Sequence, residues 1–260
     1  KIEYSTNGFT NENENFLIAT VPATDLSYPW TIPDKIGTAV RVRISDPAYN
    51  GTTVYTLSDP VDSSDATPAN FEIRGKLEFN VVNLDKPLGN EVMLITSNQA
   101  LKWTKHGTIP SVKVEYSIGD IVSSSNASPI NIITSVAHGL NTNDTVNVSG
   151  HTVNTAANGT WVVTKVDATR ISLNGSTGNG VGGSTGGVYS YAKDSLNNDA
   201  SSVLGNTFNW KVPDRKALNA ARIKVTNLSD ANNVFAISNT FIIRGGFTWS
   251  NPSTAGQVFK

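Results

Sequence analysis

The chain repeats one β-strand pattern, and this repeat limits its fold more than any other feature of the sequence. Residues 1–5 read Lys-Ile-Glu-Tyr-Ser and residues 113–117 read Lys-Val-Glu-Tyr-Ser. Both copies alternate apolar and polar side chains, which is the period of a strand with one buried face. Three further segments recur in the same order: 28–34 as 208–214, 39–45 as 220–226, and 71–75 as 241–245. Four matches in one order predict a tandem repeat of a β unit.

Composition favours an all-β fold and excludes several classes of partner. The 260 residues include 21 Gly and many Asn, Ser and Thr, which is typical of short strands joined by tight turns. Charged residues make up only 16% and the net charge is −1, so we expect no nucleic-acid partner. No apolar run approaches the roughly 20 residues that cross a bilayer, and we expect no membrane insertion within this segment. Without cysteine, disulfides and thiolate chemistry are excluded.

The repeat predicts four segments. Residues 1–75 hold the C-terminal part of one sandwich, residues 76–245 a complete sandwich, residues 124–188 a small β module inserted into it, and residues 246–260 the first strands of a following domain. In the insert, short strands are predicted at residues 130–136, 144–148, 159–166 and 169–173, and the Asn-Gly pairs at 158–159 and 174–175 are expected to supply tight hairpin turns. Residues 29–33 are predicted to form a strand edge. Only Gly75 separates the first two units, which predicts stiff coupling between them.

The first unit is expected to expose part of its core, because it contains the back of a sandwich without the front. An apolar sheet of that size needs a cover. Two sources stay open: upstream residues of a longer chain, or residues 246–260 of another copy, as in donor-strand assembly.

Several of these segments resemble bacterial immunoglobulin-like or fibronectin type III-like domains of large cell-surface proteins. The residues that carry the resemblance are Trp103 and residues 112–117, 210–214 and 221–225. The resemblance implies tandem immunoglobulin-like β-sandwiches, in which the tryptophan and the tyrosine pack in the core between the sheets.

The insert is similar to a second family, the small β-barrel related to the first catalytic-cysteine half-domain of ubiquitin-activating enzymes. The motifs are His138-Gly139-Leu140 and residues 144–150, 158–161 and 172–176. Bacterial and viral relatives of this barrel occur in surface and tail proteins. The resemblance implies a fold and no ubiquitin chemistry, since the chain has no cysteine.

Candidate sites are few. Asp46, Asp59, Asp62 and Asp65 place hard oxygen ligands in or beside one loop, which suits calcium; the alternative is a solvated loop with local turns. The three histidines, His106, His138 and His151, are predicted to be solvated turn residues. Trp30, Trp103 and Trp210 occupy repeat positions, so core packing explains them more simply than sugar stacking. No catalytic motif and no cofactor site is predicted.

These features predict a non-catalytic extracellular structural protein. We expect a segment of a repeat-built rod that forms or decorates a bacterial surface layer, filament or matrix fibre by self-association with copies of itself. Two alternatives stay open: an adhesin or carbohydrate-binding accessory module whose partners are cell-surface glycans, and a phage tail or virion structural protein.

Overall fold

A computed structural model describes residues 1–48, 55–57, 70–191, 202–214 and 217–246. Within these ranges the chain forms β-strands and two short 3-10 turns, so the predicted all-β class is confirmed. In the same ranges, no helix has the length and apolar character needed to cross a membrane. The chain divides into two compact units. Unit 1 contains Lys1–Lys76 with Lys105–Ile109, and unit 2 contains Leu77–Thr104 with Pro110–Lys260.

Unit 1 is built on an antiparallel sheet. Its strands are β1 (Ile2–Ser5), β2 (Asn15–Ala19), β3 (Gly37–Ser45), β4 (Tyr55–Leu57) and β5 (Phe71–Ile73). Strand β3 is central: β1, β4 and β5 pair with it, and β2 pairs with β1. A 3-10 turn at Glu12–Glu14 precedes β2, and the Asn11 side chain caps it by accepting a hydrogen bond from the Asn13 backbone N–H at 3.0 Å.

Further strands follow along the chain. They are β6 (Lys76–Glu78), β7 (Val92–Leu94), β8 (Asn98–Lys102), β9 (Thr104–His106), β10 (Val112–Ser117), β11 (Gly119–Ser124), β12 (Ile130–Thr134), β13 (Thr145–Ser149), β14 (Gly159–Lys165), β15 (Arg170–Leu173), β16 (Ser184–Thr185), β17 (Val188–Tyr191), β18 (Thr207–Lys211), β19 (Ala217–Asn227), β20 (Phe235–Ile237) and β21 (Phe241–Arg244). A second 3-10 turn lies at Thr155–Ala157.

The sheet that carries the repeat in unit 2 has the order β10-β19-β21-β7, with β20 added to β19. Strand β7 runs parallel to β21, and the other pairs of this sheet are antiparallel. Strand β8 pairs with β18, and β6 pairs with β9, in two-stranded sheets.

The repeated segments occupy equivalent positions in the two units. Glu3 lies opposite Arg43 where β1 pairs with β3, and the matching residues Glu115 and Lys224 lie opposite each other where β10 pairs with β19. The same equivalence holds one residue further along: Tyr4 faces Val42, as Tyr116 faces Ile223. The sequence repeat is therefore a repeat of strand register.

The aromatic side chains repeat the same geometry. The ring centroids of Tyr4 and Trp30 lie 5.2 Å apart with an interplanar angle of 44°, and those of Tyr116 and Trp210 lie 5.3 Å apart with the same angle. Each tryptophan also meets a phenylalanine edge-on, at 6.4 Å in unit 1 and 6.0 Å in unit 2. Such tilted and edge-on pairs are the favoured aromatic arrangements. The same arrangement of tyrosine, tryptophan and phenylalanine rings therefore occurs in both units.

One strand prediction was wrong. Residues 29–33 do not form a strand, although their counterparts belong to β18 and the two residues that follow it. Strand β18 forms because it pairs with β8 over five residues. Among the described residues of unit 1, no strand pairs with residues 29–33, and without a partner an extended segment does not become a strand.

The insert is a closed six-stranded antiparallel barrel. Its strands follow each other in the ring β11-β12-β15-β14-β13-β17, which returns to β11, and β16 adds to β11 outside the ring. Apolar side chains from several strands fill the interior with at most 2% exposure; they are Ile130, Ile132, Val146, Val148, Val163, Ile171 and Leu173. Strands β12 to β15 match the four predicted in the insert, whereas β11, β16 and β17 were not predicted. The barrel strands run from Gly119 to Tyr191, beyond the predicted limits of 124–188 at both ends.

A close approach of backbone and side chain marks the start of the barrel. A Cβ at Gly119 would lie 2.5 Å from the ring of Tyr189. These two residues are also paired across β11 and β17. Glycine is therefore required at this position, because any side chain would displace a ring that is 1% exposed.

Candidate functional site: a groove in unit 2

A groove with a volume of about 850 Å³ runs between the barrel and the sheet that carries the repeat in unit 2. One wall consists of β10, β19 and β20, and the other of β11, β13 and β17. Clefts of this size hold small ligands or short chain segments. We therefore treat it as the candidate functional site.

Strand alternation explains why polar side chains line the sheet wall. On β10, Val112, Val114 and Tyr116 are buried in the core, so Lys113 and Glu115 point to the other face. On β19, Ile223 and Val225 are likewise buried, which turns Arg222 and Lys224 outward. The same alternation that closes the core thus creates a charged surface.

The acidic groups of the groove are held in ion pairs. The Glu115 carboxylate lies 2.6 Å from Lys113 Nζ. The Asp120 carboxylate accepts hydrogen bonds from Arg222 Nε at 3.3 Å and Nη2 at 3.2 Å. Arg222 Nη1 also donates to the Ser238 carbonyl oxygen at 3.1 Å. Arg222 therefore links the first barrel strand to the segment that follows β20.

The barrel wall contributes neutral polar groups, namely Asn147, Ser149 and Ser190. The Asn147 amide oxygen accepts a hydrogen bond from the Thr160 hydroxyl at 2.6 Å, which leaves its NH₂ group as a donor. On the opposite wall, Lys224 Nζ sits 4.9 Å from the centroid of the Phe235 ring. The groove thus offers amide, hydroxyl and ammonium groups for hydrogen bonding.

The charged face has a counterpart in unit 1, where it is more deeply buried. Glu3 is 6% exposed and lies 2.7 Å from Lys1 Nζ and 2.9 Å from Arg43 Nη2. Burial alone raises the pKa of the Glu3 carboxyl, but the hydrogen bonds from Lys1 and Arg43 outweigh it and hold the pKa below its usual value. Arg43 also stacks on Phe9, with 4.4 Å between the guanidinium carbon and the ring centroid.

The predicted calcium ligands lie mostly beyond the described ranges. Asp59, Asp62 and Asp65 fall in residues 58–69, which the structure does not describe. Asp46 is described, and its carboxylate accepts a hydrogen bond from the Ala48 backbone N–H at 2.9 Å, as in a local turn. Within the described ranges, no group of three or more His, Asp or Glu side chains could hold a metal ion.

The prediction for two of the three histidines was wrong, since His138 and His151 are 4% and 3% exposed. His138 Nδ1 accepts a hydrogen bond from the Leu140 N–H at 2.9 Å, and Nε2 donates to the Asp167 carbonyl oxygen at 2.9 Å. The ring thus joins two loops as a neutral tautomer. Both ring nitrogens of His151 are buried and have no hydrogen-bond partner in the described structure. His106 and His138 each precede a glycine, which indicates a turn but does not show whether the histidine ring points into the protein or into solvent.

The described tryptophans do not form an exposed sugar-binding platform. Trp103 and Trp210 are 0% and 3% exposed, as predicted for core residues. Trp161 is partly buried and donates its indole N–H to the Ala157 carbonyl oxygen at 2.9 Å. Trp249 lies outside the described residues.

No protein-family model, curated protein or solved structure matches this chain. The groove's own side chains are therefore the evidence for what it can bind. Three cationic and two anionic side chains line it, with four of the five in ion pairs, and neutral donors and acceptors line the barrel wall. Nothing in the sequence pattern indicated the pairing of Asp120 with Arg222, because it depends on where the barrel begins.

Proposed function

We propose that this chain is a non-catalytic structural segment of a bacterial cell-surface protein, built from tandem immunoglobulin-like sandwiches with a small β-barrel in one loop. The observation that carries the proposal is the duplicated scaffold, in which strand register and aromatic geometry recur. A protein can become long by repeating one β unit, and such a role does not require an active site. The partners in this proposal are other copies of the chain, in a layer, filament or matrix fibre.

The finer assignment of each unit rests on its core. In unit 2 the rings of Tyr116 and Trp210 pack against each other at a tilted angle, and Trp103 is fully buried, which suits an immunoglobulin-like sandwich. The closed six-stranded ring suits the small barrel of the half-domain family. The extracellular location in this proposal rests on the resemblance to domains of cell-surface proteins.

The direct test is the assembly state of the purified full chain. Electron microscopy at rising concentration is expected to show threads or sheets of regular width, and antibodies against the chain are expected to label intact cells of the source organism. Single-copy particles at every concentration, or labelling only after lysis, contradict the proposal.

The groove favours one second candidate, a binding module for neutral polar ligands such as cell-surface glycans. Its support is the row of amide and hydroxyl groups on the barrel wall. In a glycan-array experiment with the full chain, Asn147→Ala combined with Ser149→Ala is expected to reduce a bound signal at least tenfold. Thr152→Ala, an exposed barrel position outside the groove, serves as the matched control. An array without signal for the unaltered chain removes this candidate.

A further inference from the structure

Lys224 carries a positive charge that no described carboxylate of the groove neutralises. The described lining has two carboxylates, and each already has a cationic partner: Glu115 lies 2.6 Å from Lys113 Nζ, and Asp120 accepts hydrogen bonds from Arg222. Glu115 also lies opposite Lys224 across β10 and β19, but its ion pair is with Lys113. Among the described lining residues, the groove therefore has one positive charge in excess.

An aromatic ring fixes the position of this ammonium group. Lys224 Nζ lies 4.9 Å from the centroid of the Phe235 ring, which is 44% exposed, and Ile237 lies opposite Lys224 where β19 pairs with β20. A cation–π contact orients an ammonium group without neutralising its charge, and a lysine has three N–H donors. The charge is therefore positioned in advance and stays able to bind an anion.

The barrel wall presents four side chains in two neighbouring pairs. Asn147 lies opposite Ser190, and Ser149 lies opposite Val188, where β13 pairs with β17. All four line the groove. Pairs that follow each other on one face of a strand are about 7 Å apart. The wall thus repeats a hydrogen-bonding group along its length and places one apolar side chain beside it.

A chain of sugar rings matches this combination of surfaces. Sugar rings carry hydroxyl groups at their edges and C–H groups on their faces, so one ring can hydrogen-bond to amide and hydroxyl groups while it packs against apolar side chains. In the groove, Val188 on the barrel wall and Ile237 on the sheet wall supply the apolar contact. The volume of about 850 Å³ lies within the range of small-ligand clefts.

We propose that the groove binds a saccharide chain that carries an anionic group, with the anionic group at Lys224 and the hydroxyl groups at the barrel wall. The inference rests on the glycan-binding candidate of the proposed function and names the class of glycan. The barrel wall is neutral, and the sheet wall adds the requirement for a charge. A lysine ammonium group acts as a point charge, so it accepts a carboxylate, a sulfate ester or a phosphate ester.

A glycan array of paired ligands tests the charge on the full chain. Each acidic glycan, with a carboxylate, a sulfate ester or a phosphate ester, is printed beside the counterpart that lacks this group. At least one acidic member is expected to bind about tenfold more tightly than its neutral counterpart, because a hydrogen bond to a charged group contributes more than a neutral one. The three kinds of acid distinguish which anionic group is preferred.

Two calorimetric measurements on the best pair follow. Added salt is expected to weaken binding of the acidic member more than binding of the neutral member, because salt screens charges. Lys224→Gln is expected to weaken the acidic member about tenfold, to the level of the neutral member, whose affinity stays unchanged. Lys224→Arg keeps the charge and is expected to restore the preference. Lys165→Gln, an exposed barrel lysine outside the groove lining, is the matched control and is expected to leave both affinities unchanged.

The outcomes separate this inference from the candidate on which it rests. Equal binding of acidic and neutral members overturns the inference and leaves the glycan-binding candidate intact. A preference for acidic members that survives Lys224→Gln overturns the assignment to Lys224. An array without signal for the unaltered chain contradicts both the inference and the candidate.

Discussion

At the scale of single residues, Glu3 and Glu115 show how burial changes the contribution of equivalent ion pairs to stability. Both carboxylates lie opposite a cation in the same register, but the Glu3 side chain is 8% exposed and the Glu115 side chain 41%. Exposed pairs contribute little because water and salt screen them. Removing a buried carboxylate takes away the hydrogen bonds that it accepts from both cations, and little water is at hand to replace them.

We expect Glu3→Gln to lower the free energy of unfolding of unit 1 by about 1–3 kcal/mol. Glu115→Gln, the matched change in unit 2, is expected to cost less than about 1 kcal/mol. Because the Glu3 pKa is lowered in the folded state, its contribution is complete above about pH 4.5 and is lost as the pH falls through the lowered value. Denaturant titration at pH 7 and pH 3 measures the effect, and equal losses for the two variants refute it.

His151 makes the barrel sensitive to pH in the same direction. Burial lowers the pKa of this ring below its usual 6.5, because the charged form loses its hydration and gains no hydrogen bond. The unfolded chain therefore takes up the proton more readily than the folded chain. Stability is complete above about pH 6.5 and falls as the pH drops through the lowered value.

His151→Gln is expected to reduce the loss of barrel stability between pH 7.5 and pH 5.5. The matched control is His106→Gln, an exposed histidine outside the barrel. Denaturant midpoints at the two pH values measure the difference. If both variants keep the pH dependence of the unaltered chain, His151 is not its source.

At the scale of elements, the two tryptophans of the repeat allow a comparison within one molecule. We expect Trp210→Ala to destabilise unit 2 by about 3–5 kcal/mol, as for other large core residues. Trp30→Ala is expected to cost clearly less in unit 1, because the ring is only partly buried there. Denaturant unfolding at low protein concentration, where copies remain separate, measures both. Equal costs indicate that unit 1 is covered even in the isolated chain.

The sequence predicted those strands that are long enough to show an alternation of apolar and polar residues. The alternation of Val40, Val42 and Ile44 with Arg41 and Arg43 has the period of a strand and indicates β3, although Val40 is buried and Ile44 is 52% exposed. Strands β16, β17 and β20 are two to four residues long and carry too few side chains for a period to be visible. Residues 29–33 carry the sequence pattern of a strand but have no partner strand among the described residues. A sequence pattern does not show whether a partner strand is present.

The groove was less predictable than the fold. Alternation along β10 and β19 predicts which charges face outward. It does not predict that a barrel strand brings Asp120 to Arg222, since this contact joins residues 102 positions apart. The buried histidines escaped prediction for the same reason, because a ring's direction depends on loops distant in sequence.

At the scale of the whole molecule, unit 1 is discontinuous in sequence. Residues 105–109 belong to it, and there the Asp34 carboxylate accepts hydrogen bonds from the Thr108 hydroxyl and backbone N–H, both at 2.7 Å. Both hydrogen bonds lower the pKa of Asp34, and the bond from the Thr108 hydroxyl has the larger effect. Stability of unit 1 therefore depends on residues that come after Leu77–Thr104 in the sequence.

Thr108→Val removes the hydroxyl donor and is expected to lower the thermal midpoint of unit 1 while leaving unit 2 unchanged. Thr31→Val, an exposed threonine of unit 1 without a hydrogen bond in the described structure, is the control. Differential scanning calorimetry of the full chain resolves the two transitions. A shift of the unit 2 transition instead contradicts the assignment of residues 105–109.

The pairing of β11 with β17 has a consequence for how such chains change over time. The barrel's first and last strands lie side by side, with Gly119 opposite Tyr189. A single in-frame gene rearrangement that removes or replaces the barrel thus rejoins two points that are already neighbours. The barrel can therefore be lost or exchanged while the strands on either side of it keep their pairing.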